Sequence, residues 1–142
     1  MNVLVDTSVW SLSLRRRPSS LAVLERSIFS ELAELIQESR VRIIGSIRQE
    51  ILSGIREEAY YARLRDYLRS FDDEPLTKED YENAAAASNT CRSVGITGSA
   101  IDMLICAVAI QRQWPVFTND KDFLKYARYL PLEIYSAPDR KH

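Results

Sequence analysis

Val3-Leu4-Val5-Asp6-Thr7-Ser8, at the start of the chain, is the stretch whose reading decides the fold. The run from Asn2 to Val5 ends on a carboxylate, which suits a strand of a parallel sheet buried on both faces, where no polar alternation is needed. Thr7-Ser8 then reads as a turn or helix start, leaving Asp6 at the carboxyl edge of the sheet. In open α/β sheets that edge is where ligands bind, next to a switch in strand order.

Outward from this strand the same pattern recurs. Val41 to Gly45, Pro115 to Thr118 and Leu132 to Tyr135 read as further strands. Between them, Leu21, Leu24, Ile28, Leu32, Leu35 and Ile36 recur at steps of three and four, the spacing of an amphipathic helix. Ser46-Ile47-Arg48-Gln49 has the form of a capping box opening a second helix, which Gly54 ends or bends. Tyr60, Leu64, Tyr67, Leu68 and Phe71 mark a third, broken by Asp72-Asp73-Glu74-Pro75. Thr77 starts a helix that runs to about Val94, with Gly95 as its punctuation. Ser99 caps one from Ala100 to Ile110 that is apolar on nearly every side and so is expected to be buried against the sheet. Asn119-Asp120 opens a short last helix with Phe123, Leu124 and Ala127 inward. Strands alternating with helices imply a parallel α/β sheet. The 142 residues, 46% of them hydrophobic, fit one domain over 1–142 with a flexible polar tail from about 138.

Composition excludes several chemistries. The single histidine is His142, the last residue, so no imidazole is available for a Ser-His-Asp triad, a Cys-His pair or a two-histidine ribonuclease. Cys91 and Cys106 lie far apart, match no Cys-x-x-Cys pattern and read as buried reduced thiols. The longest apolar stretch, Ile101 to Ile110 apart from Asp102, is too short to cross a bilayer, and the N-terminus lacks a basic start and signal-peptide core. A soluble cytoplasmic protein is expected. Net charge is −1, so a nucleic-acid site must be a local patch rather than a global field. Fifteen Arg against four Lys favour planar contacts to phosphates and bases, and the exposed run Arg15-Arg16-Arg17 is the candidate RNA contact.

Carboxylates must therefore carry any hydrolysis, and four occupy positions where an α/β fold builds sites. Asp6 and Asp120 follow directly on strands, while Glu50 and Asp102 fall in the opening turns of helices at the boundary between core and cleft. Each also has a structural role open to it. Asp6 and Asp120 suit N-caps, Asp102 suits a capping box with Ser99, and Glu50 suits a positive helix start. Their convergence on one sheet edge shifts the balance. Two carboxylates ~4 Å apart at an effective dielectric of ~20 repel by ~4 kcal/mol, so a cluster must protonate or hold cations. With no Lys or Arg beside these acids in a motif, hard divalent ions are the natural counter-charge, and metal ions activate water at a phosphodiester without histidine.

The segments Val3 to Ser8, Ser46 to Gly54 with Glu50, Gly98 to Ala107 with Asp102, and Thr118-Asn119-Asp120-Lys121-Asp122-Phe123 together resemble, in order and spacing, the motifs of PIN-domain ribonucleases. In length and lack of extra domains the chain looks like the VapC-type toxins of that family. The resemblance implies a five-stranded parallel sheet with helices on both faces and Mg²⁺- or Mn²⁺-dependent cleavage of RNA. It makes Asp6, Glu50, Asp102 and Asp120 the acidic quartet. Asp6, Asp102 and Asp120 become the expected metal ligands, with Glu50 and Asp122 as further candidates, and Ser8 and Thr118 become hydroxyls that orient acids or water. It also implies a homodimer inhibited by a cognate VapB-type antitoxin. If Asn119 caps the last helix, Asp120 and Asp122 point about 200° apart and only one faces the site squarely.

Other readings fit the residues less well. A metal-dependent adhesion module wants Asp-x-Ser-x-Ser after its strand, where this chain has Trp10 at the last position. Phosphatases with a strand-borne nucleophile want Asp two residues further on, where Ser8 stands. The nearer rival is a PIN domain in RNA processing, or one that binds without cleaving.

Overall fold

In the computed structural model, residues 1–15, 19 and 21–140 are described. The order of elements is β1 (Val3–Val5), α1 (Thr7–Arg15), α2 (Val23–Gln37), β2 (Val41–Arg42), α3 (Gly45–Leu52), α4 (Glu58–Leu68), α5 (Lys78–Ser93), α6 (Ala100–Arg112), β3 (Val116–Phe117) and α7 (Asp122–Tyr126). The strands form a parallel sheet in the order β2-β1-β3, with Val3 opposite Val41 and Val5 opposite Phe117. From β1 the chain crosses to one side for β2, then passes through four helices to reach the other side at β3. Strand order therefore switches beside β1, and Asp6 stands at its carboxyl end.

The sheet has three strands among the described residues, not five. Each outer strand is reduced to a single parallel bridge, Ile43 to Asp73 on one edge and Val116 to Ile134 on the other. On the first edge Glu74 N donates to Ile43 O at 2.9 Å, and Pro75 has no N–H with which to continue the ladder. On the second, Val116 N donates to Glu133 O and Tyr135 N to Val116 O, so Leu132 to Tyr135 pairs only around Val116.

Val3, Leu4 and Val5 are wholly buried, as a central parallel strand requires. Met103 to Ala109 of α6 are buried throughout, and α6 packs along α5. Ile43 and Ile44 after β2 and Ile47 and Ile51 of α3 join the same core, as does Trp10, whose Nε1 donates to Val5 O at 3.1 Å. Burying each such side chain contributes about 1.5–3 kcal/mol, which explains why these short elements hold their positions.

Three local expectations change. The N-cap of α3 is Ile44, not Ser46, and Ser46 Oγ is buried with no hydrogen-bond partner among the described residues. Anchoring both Ile44 and Ile47 in the core starts the helix directly from the strand, so Glu50 falls in its last turn rather than its first. The N-cap of α7 is Lys121 and its first residue Asp122, later than an Asn119 cap would give. Further along the chain, Arg140 donates to Glu31 on α2 and to Glu38 at its C-cap, and Tyr135 also donates to Glu31.

Candidate metal centre

Asp6 is held from three directions at the end of β1. Ser8 Oγ donates to its Oδ1 at 2.6 Å, Ser8 N donates to the same oxygen at 3.1 Å, and Thr118 Oγ1 donates to Oδ2 at 3.0 Å. Each hydroxyl accepts in turn from the loop after β3: Asn119 N donates to Ser8 Oγ at 2.8 Å and Asp120 N to Thr118 Oγ1 at 2.9 Å. Ser8 and Thr118 thus stitch the end of the central strand to the backbone that carries Asp120. Asp6 is 4% exposed, and burial pushes its pKa up to about 6. The two hydroxyls and the Val9 amide pull it down, and the charge of Asp120 adds to the rise.

Asp102 lies in the first turn of α6, where Ser99 Oγ caps the helix by accepting from Asp102 N at 3.0 Å. Its carboxylate accepts the Tyr126 hydroxyl on Oδ2 at 2.7 Å. Burial raises the Asp102 pKa, and the charges of Asp120 and Glu50 raise it further, against the Tyr126 and Ser99 hydrogen bonds. These mutual repulsions join Asp6, Asp102, Asp120 and Glu50 in one electrostatic neighbourhood.

Within it the tightest group is Asp102, Asp120 and Asp122, with one carboxylate oxygen from each within 4.8 Å of the others. Asp6 and Glu50 lie outside that group, Asp6 buried behind its hydroxyls and Glu50 exposed. Asp120 and Asp122 face the same place because α7 starts at Asp122, so the helical angle of 200° does not separate them. Asp120 Oδ1 instead accepts from Asp122 N at 2.9 Å. Lys125 Nζ lies 3.5 Å from Asp122 Oδ1 and partly offsets that acid. An all-oxygen donor set of this spacing fits a hard divalent ion, whose Mg²⁺–O distances are about 2.0–2.1 Å.

Residues 3–129 match the family described as PIN domain. The chain belongs to the PIN domain family. PIN domains are in general nucleases and typically use divalent metals, and an acidic cluster is present in this chain. FitAcB from Neisseria gonorrhoeae is similar in structure, with a TM-score of 0.73 at 21% identity over 94% of this chain and 96% of that one. VapBC2 from Rickettsia felis, solved with a DNA fragment from its promoter, gives 0.72 at 16% over 95% and 98%. FitAB bound to an IR36 DNA fragment gives 0.71 at 19% over 99% of each chain. At these identities the likeness speaks for the PIN fold. No curated protein matches the chain.

Sequence reading missed Tyr126. It took Phe123, Leu124 and Ala127 as the inward residues of the last helix, whereas Leu124 is 56% exposed and Phe123, Tyr126 and Leu130 are buried. The spacing of three and four through 123, 126 and 130 was the available signal once the helix start is set at Asp122. Of the expected RNA contacts, Arg16 and Arg17 lie outside the described residues, and Arg15 is described only as the end of α1. Cys91 and Cys106 are buried free thiols. No helix among the described residues is long and apolar enough to cross a membrane.

Proposed function

We propose that this PIN domain is a Mg²⁺- or Mn²⁺-dependent endoribonuclease that acts in the cytoplasm as the toxin of a VapBC-type pair. The observation that carries the reading is the convergence of Asp102, Asp120 and Asp122 beside the buried Asp6, with Lys125 the one cation paired with them among the described residues. Asp102 and Asp120 are the primary ligands, and Asp122 and Asp6 lie near enough to share the ion's charge. A divalent ion bound there supplies Lewis acidity at the phosphodiester and the counter-charge that lets these acids ionise together.

The chain's own groups do the rest. Ser8 and Thr118 keep Asp6 fixed and tie it to the Asp120 loop, so the acids keep their spacing as they lose protons. Glu50 is the member of the quartet that stands in solvent, where it is suited to take a proton from the attacking water. Arg15, Arg16 and Arg17 supply phosphate contacts that the net charge of −1 does not.

The antitoxin reading is supported by the family and by the electrostatics of the cleft. A guanidinium from a partner pairs bidentately with clustered carboxylates and so competes with a cation. A homodimer is the assembly the resemblance suggests. The test is to incubate the purified full chain with RNA and with DNA in Mn²⁺, in Mg²⁺ and in excess chelator, with Asp102→Asn as control. Metal-dependent RNA cleavage that Asp102→Asn loses supports the reading, and no cleavage with either metal overturns it. Purification with the product of the neighbouring gene tests the toxin role: a partner that neither binds nor suppresses cleavage would leave a nuclease of another kind.

A further inference from the structure

Tyr126 closes α7 with its ring in the core, 2% exposed and edge-on to Phe123 at a centroid distance of 5.3 Å. Its hydroxyl donates to Oδ2 of Asp102 at 2.7 Å. Gly98 lies directly against that ring. A methyl group there would meet Met103 Cε at 2.5 Å and Tyr126 Cε1 and Cζ at 3.2 Å. The Gly98 φ is not in the left-handed region, so the requirement is for space rather than for backbone freedom. Asp102 is thereby held twice, by Ser99 at its backbone N–H and by Tyr126 at its carboxylate.

We propose that Tyr126 is the positioning residue for Asp102, fixing its carboxylate toward Asp120 and Asp122, and that Gly98 provides the space this demands. The inference rests on the reading of Asp102 as a ligand in the acidic centre. An ionised carboxylate offers about four acceptor sites, so one hydroxyl donor fixes its rotation and leaves sites open toward the cleft. The donor also spreads negative charge away from the neighbouring acids. Because the ring is locked by packing, it delivers this hydrogen bond without ordering a mobile side chain at the moment of ion binding.

The experiment is a double-mutant cycle on the full chain, with Mn²⁺ alone as the probe. Affinity is read by titration and by the electron paramagnetic resonance of the bound ion, and folding by thermal denaturation. Tyr126→Phe keeps the ring and removes the donor. It is expected to weaken Mn²⁺ binding about 10- to 100-fold and to alter the resonance spectrum while the protein remains folded. In an Asp102→Asn background the same change is expected to have little further effect, since Tyr126 acts through Asp102. Gly98→Ala, which keeps the hydroxyl but crowds the ring, is expected to weaken binding as well. Unchanged affinity and spectrum in Tyr126→Phe would overturn the proposal, and so would equal losses in the two backgrounds. The cycle reads ion binding and not RNA cleavage, so a chain that binds Mn²⁺ as expected but cuts no RNA refutes the ribonuclease reading alone.

Discussion

At Asp6, burial and hydrogen bonding act in opposite directions, and burial wins: the carboxyl carries a pKa of about 6 despite two hydroxyl donors. Asp6→Asn keeps an acceptor for Ser8 and removes the charge. It is expected to lower metal-dependent RNA cleavage by about 10²-fold or more, on the scale of losing an ion's ligand field or its support. The metal-free variant is expected to be more stable than the parent at pH 7 by about 1–3 kcal/mol, measured by urea denaturation, because a buried charge has gone. Full cleavage activity in Asp6→Asn would remove Asp6 from the proposed site. Asp120→Asn is expected to weaken Mn²⁺ binding more than Asp122→Asn does. Asp120 is half-buried and tied to Thr118 and to Asp122 N, whereas Asp122 is exposed and faces Lys125. Calorimetric titration of the two variants gives the order, and a larger loss at Asp122 reverses it. A carboxylate directly after an apolar run, as Asp6 is after Val3 to Val5, is conspicuous in sequence. Tyr126 is not, because an aromatic ring at helical spacing looks the same whether its hydroxyl is idle or bonded to Asp102.

Elements were legible where the core dictates them on every side. The apolar run of α6 and the Thr77 start of α5 read directly, and Thr77 N accordingly finds Asp80 Oδ2 at 2.8 Å. Element ends decided by a neighbour were not: α3 and α7 start where Ile44 and Phe123 meet the core, which no local capping pattern encodes. The last strand, Leu132 to Tyr135, was over-read for the same reason, since a ladder's length depends on its partner and this edge offers a single bridge at Ile134. Between α5 and α6 lies an ion pair that sequence did not reveal. Arg112 NH2 donates to Asp80 Oδ2 at 3.0 Å and to Pro75 O at 3.2 Å, and Asp80 is 2% exposed. The Arg112 hydrogen bonds hold the Asp80 carboxyl below the usual range against the effect of burial. Arg112→Ala leaves that carboxylate buried and uncompensated, and it is expected to cost about 3 kcal/mol in chemical denaturation. A loss below about 0.5 kcal/mol would mean that solvent replaces the guanidinium, as at a surface pair.

For the whole molecule, stability and ion binding are coupled through the same acids, with a sign that can be worked out. Asp6 rises from 3.8 to about 6 on folding, and Asp102 also rises, so between those pH values the native state holds more protons than the unfolded chain. Stability then falls as pH rises through this window, by about 3 kcal/mol for Asp6 at ~1.4 kcal/mol per pKa unit. Asp80 works the other way, because its carboxyl is lowered and its contribution is lost only as pH falls below about 4. The metal-free protein is therefore expected to be most stable near pH 4 to 5 and to weaken toward pH 7, where the clustered acids repel without a counter-ion. An ion that binds only the native state reverses that slope. At a concentration 100 times its dissociation constant it contributes about 2.7 kcal/mol, or about 8 °C in melting temperature for a chain of this size. Melting curves with and without Mn²⁺ at pH 5 and pH 7.5 check this directly. The increment is expected to be large at pH 7.5, small at pH 5 where Asp6 keeps its proton, and strongly reduced at both in Asp102→Asn. An increment that is equal at the two pH values, or that survives in Asp102→Asn, would place the ion away from these acids.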